Sequence, residues 1–158
     1  MKQVIIIRGP AGIGKTTISK ELSNELNGDY LSIDKVLEKN KLDNVIGDGI
    51  PEENFIKVNE IILKSIIPSF NKKYLIIDGN FYRLNQLNDL VEKLNPIVIY
   101  LVGDLNTCMT RNKLRSVSMT SIAIKEVFEL VSKVDIGKKI NTQDKTINEV
   151  VKEIFRLF

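Results

Sequence analysis

Near the start of the chain stand the residues Arg8-Gly9-Pro10-Ala11-Gly12-Ile13-Gly14-Lys15-Thr16-Thr17. They contain the pattern G-x-x-x-x-G-K-[ST], which occupies residues 9–16. The apolar run Val4-Ile5-Ile6-Ile7 precedes this stretch, and apolar residues at helical spacing follow it. The pattern therefore stands where its chemistry requires it, in a glycine-rich loop between a strand and a helix.

A loop of this kind predicts a site for a nucleoside triphosphate. Its backbone N–H groups turn toward one point at the positive end of the helix dipole, where a polyphosphate is held. Lys15 would reach the β- and γ-phosphates, and the hydroxyl of Thr16 would ligate Mg²⁺. A glycine-rich turn without a ligand is the alternative, and the strand–loop–helix setting speaks against it. The loop residues expected to bind nucleotide are Gly9, Pro10, Ala11, Gly12, Ile13, Gly14, Lys15, Thr16 and Thr17.

The composition is that of an ordinary globular protein. The chain has 158 residues, of which 43% are hydrophobic and 27% charged, so we expect one domain over residues 1–158. A net charge of +3 suits anionic substrates but is too small for a surface that coats nucleic acid. No histidine is present, which excludes a Ser-His-Asp triad and a histidine general base.

The sequence also indicates a compartment. No apolar run approaches about 18 residues, and the N-terminus has no pattern of an export signal, so no membrane span is expected. The single cysteine, Cys108, has no partner for an internal disulfide. This fits a reducing environment, and we expect a cytoplasmic protein.

Apolar runs bounded by turn residues alternate with helical patterns along the chain. Each run is nearly continuous in apolar residues, which is typical of a parallel sheet with helices on both faces. The predicted fold class is therefore α/β. The predicted strands are 3–8, 30–33, 74–77, 97–102 and 138–141, and the predicted helices are 15–26, 35–39, 51–68, 84–94, 105–116, 121–134 and 147–157.

Three classes of triphosphate-binding protein compete for this sequence: kinases, GTPase switches and mechanical ATPases. A GTPase switch needs D-x-x-G after the third strand, and the chain contains no such pattern. The string Asn40-Lys41-Leu42-Asp43 matches N-K-x-D, but it follows the second strand and is interpreted as a coincidence. Motor-type ATPases place a glutamate directly after the carboxylate of the third strand, whereas Asp78 is followed by Gly79.

The kinase class has a candidate for each part that it requires. Asp34 is predicted to end the second strand, where a carboxylate can accept the proton of an acceptor hydroxyl. Asp78 is predicted to end the third strand, the position of a carboxylate that holds Mg²⁺. Both would open on the crevice of the glycine-rich loop, because parallel strands end at the same edge. The alternatives are a helix cap for Asp34 and a turn-forming Asp-Gly pair for Asp78.

Four arginines are candidates for contacts with phosphate groups. Arg111 and Arg115 lie four residues apart on one predicted helix, and guanidinium groups stabilise the charge of a transferring phosphoryl group. Arg8 and Arg83 adjoin the predicted crevice and are expected, with Asp34 and Gly79, to contact an acceptor. A solvated surface position is the alternative for each of these arginines.

Taken together, these motifs resemble the small P-loop kinases around adenylate kinase, polynucleotide 5′-kinase, zeta-toxin and seryl-tRNA kinase. The resemblance covers essentially the whole chain. It implies a sheet of order 2-3-1-4-5, a lid over residues 108–120 and an acceptor region over 35–62. It also implies that Asp34 is the general base and that adenine is held near Asn141 and Thr142. In place of the acceptor-binding arginine of adenylate kinases, this chain has Leu37.

We therefore expect an ATP- and Mg²⁺-dependent phosphotransferase that is a monomer or a weak dimer. Its γ-phosphoryl acceptor would be a hydroxyl compound or a nucleotide, and a hydroxyl acceptor would be a nucleoside, a sugar, an RNA 5′-end or an aminoacyl-tRNA. Two alternatives stay open: a nucleoside monophosphate kinase, and an ATP-binding regulatory or assembly factor that transfers nothing.

Overall fold

Five parallel strands form the sheet in the computed structural model, which describes residues 2–158. They lie in the order β2-β3-β1-β4-β5. The predicted α/β class and the predicted strand order are confirmed. The strands are β1 (Gln3–Arg8), β2 (Asp29–Ser32), β3 (Tyr74–Gly79), β4 (Ile97–Val102) and β5 (Lys138–Asn141).

Helices cover both faces of this sheet. Among the described residues, no helix is long and apolar enough to span a membrane. A π-helical segment, Ile62–Ile66, joins the third helix to the fourth. The helices are α1 (Lys15–Glu25), α2 (Ile33–Lys39), α3 (Glu52–Ile61), α4 (Ile67–Ser69), α5 (Leu84–Leu94), α6 (Leu105–Lys113), α7 (Ser121–Ser132) and α8 (Ile147–Phe155).

Two hydrophobic cores lie on opposite faces of the sheet, as the alternation of side chains along a strand requires. In β1, Val4 and Ile6 belong to the core beneath α2, α3 and α5. Ile5 and Ile7 belong to the core beneath α1, α6, α7 and α8. Because both faces of the strand are buried, its sequence is apolar throughout rather than alternating.

Several predicted boundaries differ from the structure, among them the ends of the second strand, of the third helical stretch and of the helix after β4. The second strand ends at Ser32, whose hydroxyl accepts the N–H of Lys35, so Asp34 lies in the first turn of α2 and does not cap it. Pro68 does not end the third helical stretch, because the π-helical segment leads into α4 and Pro68 stands at its first turn. The predicted helix 105–116 ends at Lys113.

Arg8 is fully buried, which contradicts the expectation that it contacts an acceptor. Its two terminal nitrogens donate to the carbonyl oxygens of Val131, Val134 and Ile136 at 2.9 to 3.2 Å. Its guanidinium carbon lies 4.1 Å from the ring centre of Tyr100. Burial lowers the pKa of Arg8. The side chain thus ties the end of β1 to the end of α7.

Replacing Arg8 by methionine is expected to destabilise the protein by about 2–4 kcal/mol, because three carbonyl groups lose a charged, buried donor. Urea unfolding measures this free energy. Arg156→Met is the control, since Arg156 is exposed and its loss should change stability by less than about 0.5 kcal/mol. Equal stability of the Arg8→Met variant and the wild type would contradict this role of Arg8.

Candidate active site

The glycine-rich loop joins β1 to α1 and is packed against α6. Gly12 and Gly14 have φ angles of 83° and 107°, a region that favours glycine. A Cβ atom on Gly12 would lie 2.4 Å from the carbonyl oxygen of Cys108 on α6. Gly14 stands directly before the first helical residue, Lys15. The backbone of this loop can therefore curve toward one point, as binding of a polyphosphate requires.

Lys15 folds back over this loop. Its ammonium donates to the carbonyl oxygen of Pro10 at 2.9 Å, and the residue is only 8% exposed. Burial lowers the pKa of Lys15, and the carboxylates of Asp34 and Asp78 act in the opposite direction. A cation in this position is available to a phosphate group that enters the loop.

Asp78, Tyr30 and Thr16 form a buried polar cluster beside Lys15. Asp78 is 2% exposed, and its Oδ2 atom accepts a hydrogen bond of 2.5 Å from the hydroxyl of Tyr30. Burial raises the pKa of Asp78, while Tyr30, Lys15 and the hydroxyl of Thr16 oppose this effect. Tyr30 was not predicted as a site residue, because its contact depends on the pairing of β2 with β3.

Arg111 and Arg115 border the same cleft, as predicted. One terminal nitrogen of Arg111 donates to the carbonyl oxygen of Ile13 at 2.8 Å, so this side chain holds the loop itself. Arg115 lies beyond the end of α6, and its backbone N–H bonds to the carbonyl of Asn112. The cleft has a volume of about 420 Å³. The residues around it are Gly12, Gly14, Lys15, Thr16, Thr17, Arg111, Arg115, Lys145, Thr146 and Ile147.

The far end of the cleft is formed by the start of α8 rather than by Asn141 and Thr142. Thr142 is 2% exposed, and its N–H and hydroxyl both donate to the carbonyl of Val102. The side chain of Asn141 accepts the N–H of Gln143. Neither residue lines the cleft, whose lining at this end consists of Lys145, Thr146 and Ile147. The capping box of Thr146 and Glu149 marks this helix start in the sequence.

A second cavity, of about 270 Å³, lies beside Asp34. The loop before α3 supplies one side of it, and α7 supplies another, which the predicted acceptor region 35–62 did not include. The cavity is lined by Asp34, Val45, Gly47, Asp48, Gly49, Ile50, Phe55, Asn80, Tyr82, Met119, Ala123, Glu126 and Val127.

Gly79 and Arg83 do not line this cavity, in contrast to the expectation that they contact an acceptor. Gly79 is buried in β3, and a Cβ atom there would meet Ile33 and Phe81 at 2.9 Å. Arg83 forms an ion pair of 2.8 Å with Asp48, and its Nε donates to the carbonyl of Ile50. Arg83 therefore holds the loop that forms the cavity wall.

Residues 11–156 match the family model described as shikimate kinase. The chain belongs to the shikimate kinase family. With that family it belongs to the P-loop kinases, a class of phosphotransferases, as the sequence predicted.

Individual relatives carry different names. The chain is 30% identical to a shikimate kinase of Marinomonas sp. (strain MWYL1) over 108 residues, which are 64% of this chain and 57% of that protein. It is 29% identical to a Pyrococcus furiosus protein named "Putative adenylate kinase", over 98% of this chain and 83% of that protein. A gluconokinase structure from Sinorhizobium meliloti 1021 matches its fold with a TM-score of 0.76 at 13% identity, covering 98% of this chain and 93% of that one.

The buried carboxylate predicts a pH dependence of stability in the absence of nucleotide and metal. The raised pKa of Asp78 means that the unfolded chain loses this proton before the folded protein does. The protonated form of Asp78 therefore stabilises the folded protein at low pH. This stabilisation is lost as the pH rises from the ordinary pKa of an aspartate through the raised pKa of Asp78. Asp78→Asn should remove this loss and be more stable than the wild type at pH 7.

Urea unfolding between pH 4 and pH 8 measures the effect. Asp43→Asn, at an exposed position outside both cavities, should keep the pH profile of the wild type. Parallel profiles of the wild type and the Asp78→Asn variant would show that burial of this carboxylate does not govern stability.

The position of α8 predicts which residues affect nucleotide affinity. Lys145→Ala should raise the Kd for MgATP about three- to tenfold, because a cation at the cleft is lost. Asn141→Ala should change it less than about twofold. Since Lys145 also pairs with Glu153 at 2.6 Å, Glu153→Gln separates the two roles and should leave the Kd unchanged. Isothermal titration calorimetry measures all three, and the reverse ranking of Lys145 and Asn141 would return adenine to the end of β5.

Proposed function

We propose that this protein transfers the γ-phosphoryl group of MgATP to a hydroxyl group of a small molecule bound in the cavity beside Asp34. The family supports an ATP-dependent small-molecule kinase. The volume of the second cavity, about 270 Å³, is of the size that a small acceptor occupies.

One observation carries the proposal: Asp34 stands between the two cavities. It lines the second cavity, and its charge acts on the ammonium of Lys15 in the nucleotide cleft. Asp34 is also exposed, so its carboxylate is free to meet a ligand. A carboxylate at this junction is within reach of an acceptor hydroxyl and of the phosphoryl group that it attacks.

The reaction is a displacement at the γ-phosphorus. The acceptor oxygen forms a bond to that phosphorus, and the bond to the oxygen of the β-phosphate breaks with its electron pair leaving on ADP. The hydroxyl proton passes to a carboxylate oxygen of Asp34. Of the three carboxylates described as lining the second cavity, Asp34 is the one whose charge acts on Lys15.

The remaining residues have roles on the nucleotide side. The backbone N–H groups of the glycine-rich loop and the ammonium of Lys15 bind the phosphates. Arg111 and Arg115 neutralise the charge that spreads over the transferring group. Lys145, Thr146 and Ile147 lie where the nucleoside end of ATP would extend.

The cluster of Thr16 and Asp78 fits a magnesium ion. Both supply oxygen atoms, which Mg²⁺ prefers, and one protein carboxylate together with substrate phosphates is its usual environment in kinases. The cation supplies neutralisation of the β- and γ-phosphate oxygens. Tyr30 holds the carboxylate of Asp78 in place through its hydrogen bond.

Asp34→Asn should lower kcat by about 10²- to 10⁴-fold, because the acceptor hydroxyl loses its base. The Kd for MgATP should stay within about twofold. The measurement is transfer of labelled γ-phosphate into a panel of nucleosides, nucleoside monophosphates, sugars, cyclic polyols and RNA 5′-ends. Asp43→Asn, which removes a charge outside both cavities, is the matched control and should keep full activity.

Three results would contradict the proposal. Undiminished turnover by the Asp34→Asn variant would remove Asp34 as the base. Tight MgATP binding without label in any acceptor would favour the regulatory or assembly factor. Label that enters nucleoside monophosphates alone would favour the nucleoside monophosphate kinase.

A further inference from the structure

The cavity beside Asp34 has an unusual balance of charge for a kinase of anionic metabolites. Three carboxylates line it, those of Asp34, Asp48 and Glu126, and no lysine or arginine is among its lining residues. Asp48 is neutralised by Arg83 at 2.8 Å. Among residues 2–158, neither Asp34 nor Glu126 has an ion-pair partner within 4.0 Å.

The cations that act on the lining carboxylates are not among the residues that line the cavity. The guanidinium of Arg83 donates to both carboxylate oxygens of Asp48 and to the carbonyl of Ile50. Lys133 acts on Asp48 from a distance. Lys15 acts on Asp34, but it lies in the nucleotide cleft, where a triphosphate would occupy it. An anionic group in the cavity would therefore meet no lysine or arginine among the lining residues.

The carboxylates of the wall accept hydrogen bonds. Those of Asp34 and Glu126 are acceptors only. The Oδ1 atom of Asn80 is buried without a hydrogen-bond partner. The hydroxyl of Tyr82 accepts the N–H of Ile50 at 3.0 Å, and its own O–H can still donate. Much of the remaining wall is apolar, and Phe55 and Val127 are part of it. Such a wall suits a ligand that donates hydrogen bonds to the carboxylates and has an apolar face.

From this balance we infer the chemical class of the acceptor: a hydroxyl-bearing molecule that is uncharged or carries an amine, and that has no carboxylate or phosphate group. The inference rests on the proposed function of the same site. Bringing an anion next to Asp34 and Glu126 adds like-charge repulsion, and no lining lysine or arginine offsets it. An amine or a further hydroxyl supplies the donors that these groups lack.

The test separates acceptors by charge. Small molecules of yeast extract, freed of macromolecules by ultrafiltration, are divided on an anion-exchange resin at pH 7 into a retained, anionic fraction and an unretained fraction. Each fraction is incubated with the full-length protein, Mg²⁺ and γ-labelled ATP. Matched pairs of pure compounds are assayed in parallel: shikimate and methyl shikimate, AMP and adenosine, galacturonate and galactosamine.

We expect labelled product from the unretained fraction. In any matched pair that the protein phosphorylates, we expect kcat/KM to be at least about tenfold higher for the non-anionic compound. Label from the retained fraction alone, or a preference for the anionic members, would overturn the inference and leave the kinase function intact. Label from neither fraction and from none of the pure compounds would contradict both.

A charge reversal on α7 tests the wall itself. Glu126→Lys should lower kcat/KM for the acceptor found in the unretained fraction about tenfold or more. The same change should raise kcat/KM for the anionic member of each pair. Glu129→Lys makes the same change on the same helix, at an exposed residue that does not line the cavity, and should leave both values within about twofold. Equal behaviour of the two variants would show that the charge of Glu126 does not select the acceptor.

Discussion

Parallel pairing of β2, β3 and β1 is the constraint on which the active site depends. The register places Asp78 between Ile7 of β1 and Ser32 of β2. The glycine-rich loop, the buried carboxylate and the helix that carries Asp34 therefore all start from one edge of the sheet. A shift of the register by one residue would turn the side chain of Asp78 to the opposite face. The cluster with Tyr30 and Thr16 would then be lost.

The nucleotide-binding loop is held from outside by residues distant in the chain. Gly12 packs on the backbone of α6, and Arg111 of the same helix donates to the carbonyl of Ile13. On the other side, Arg8 binds carbonyl groups at the end of α7. The segment 114–120 connects these two helices, and Asn112 holds it through two hydrogen bonds to the backbone of Met119. The segment predicted as a lid therefore contacts the glycine-rich loop through α6, where Cys108 and Arg111 meet it.

The two cavities differ in the sign of their charge. Lys15, Arg111, Arg115 and Lys145 surround the first, which suits a triphosphate. The second has carboxylates and no lining cation. The net charge of +3 gives no hint of this division, because it sums over groups that the fold places in different sites. Because the two cavities differ in charge, an anionic ligand is favoured in the cleft of the glycine-rich loop and disfavoured in the cavity beside Asp34.

Local patterns predicted most secondary-structure elements. The bounds of β1, β4, β5 and α5 match the prediction, since apolar runs and helical periodicity depend on neighbours in the chain. One difference arises at a proline. Pro68 was expected to end a helix, yet the π-helical segment before it leads into α4, and Pro68 stands in the first turn of α4, where a proline is tolerated.

The contrast between what the sequence predicts and what the tertiary structure decides is greatest in the candidate active site. The phosphate-binding residues 9–17 could be identified from the amino-acid order alone, because a loop of consecutive amides acts as a unit and needs no distant partner. The surroundings could not. Packing between segments far apart in the chain places Tyr30, Lys145 and Glu126 at the candidate site, although the sequence did not predict them there. The same packing buries Arg8, which was predicted to contact an acceptor. Which side chains face a cavity depends on how the helices pack on the sheet. That packing is the result of many weak contacts, which a short sequence motif does not specify.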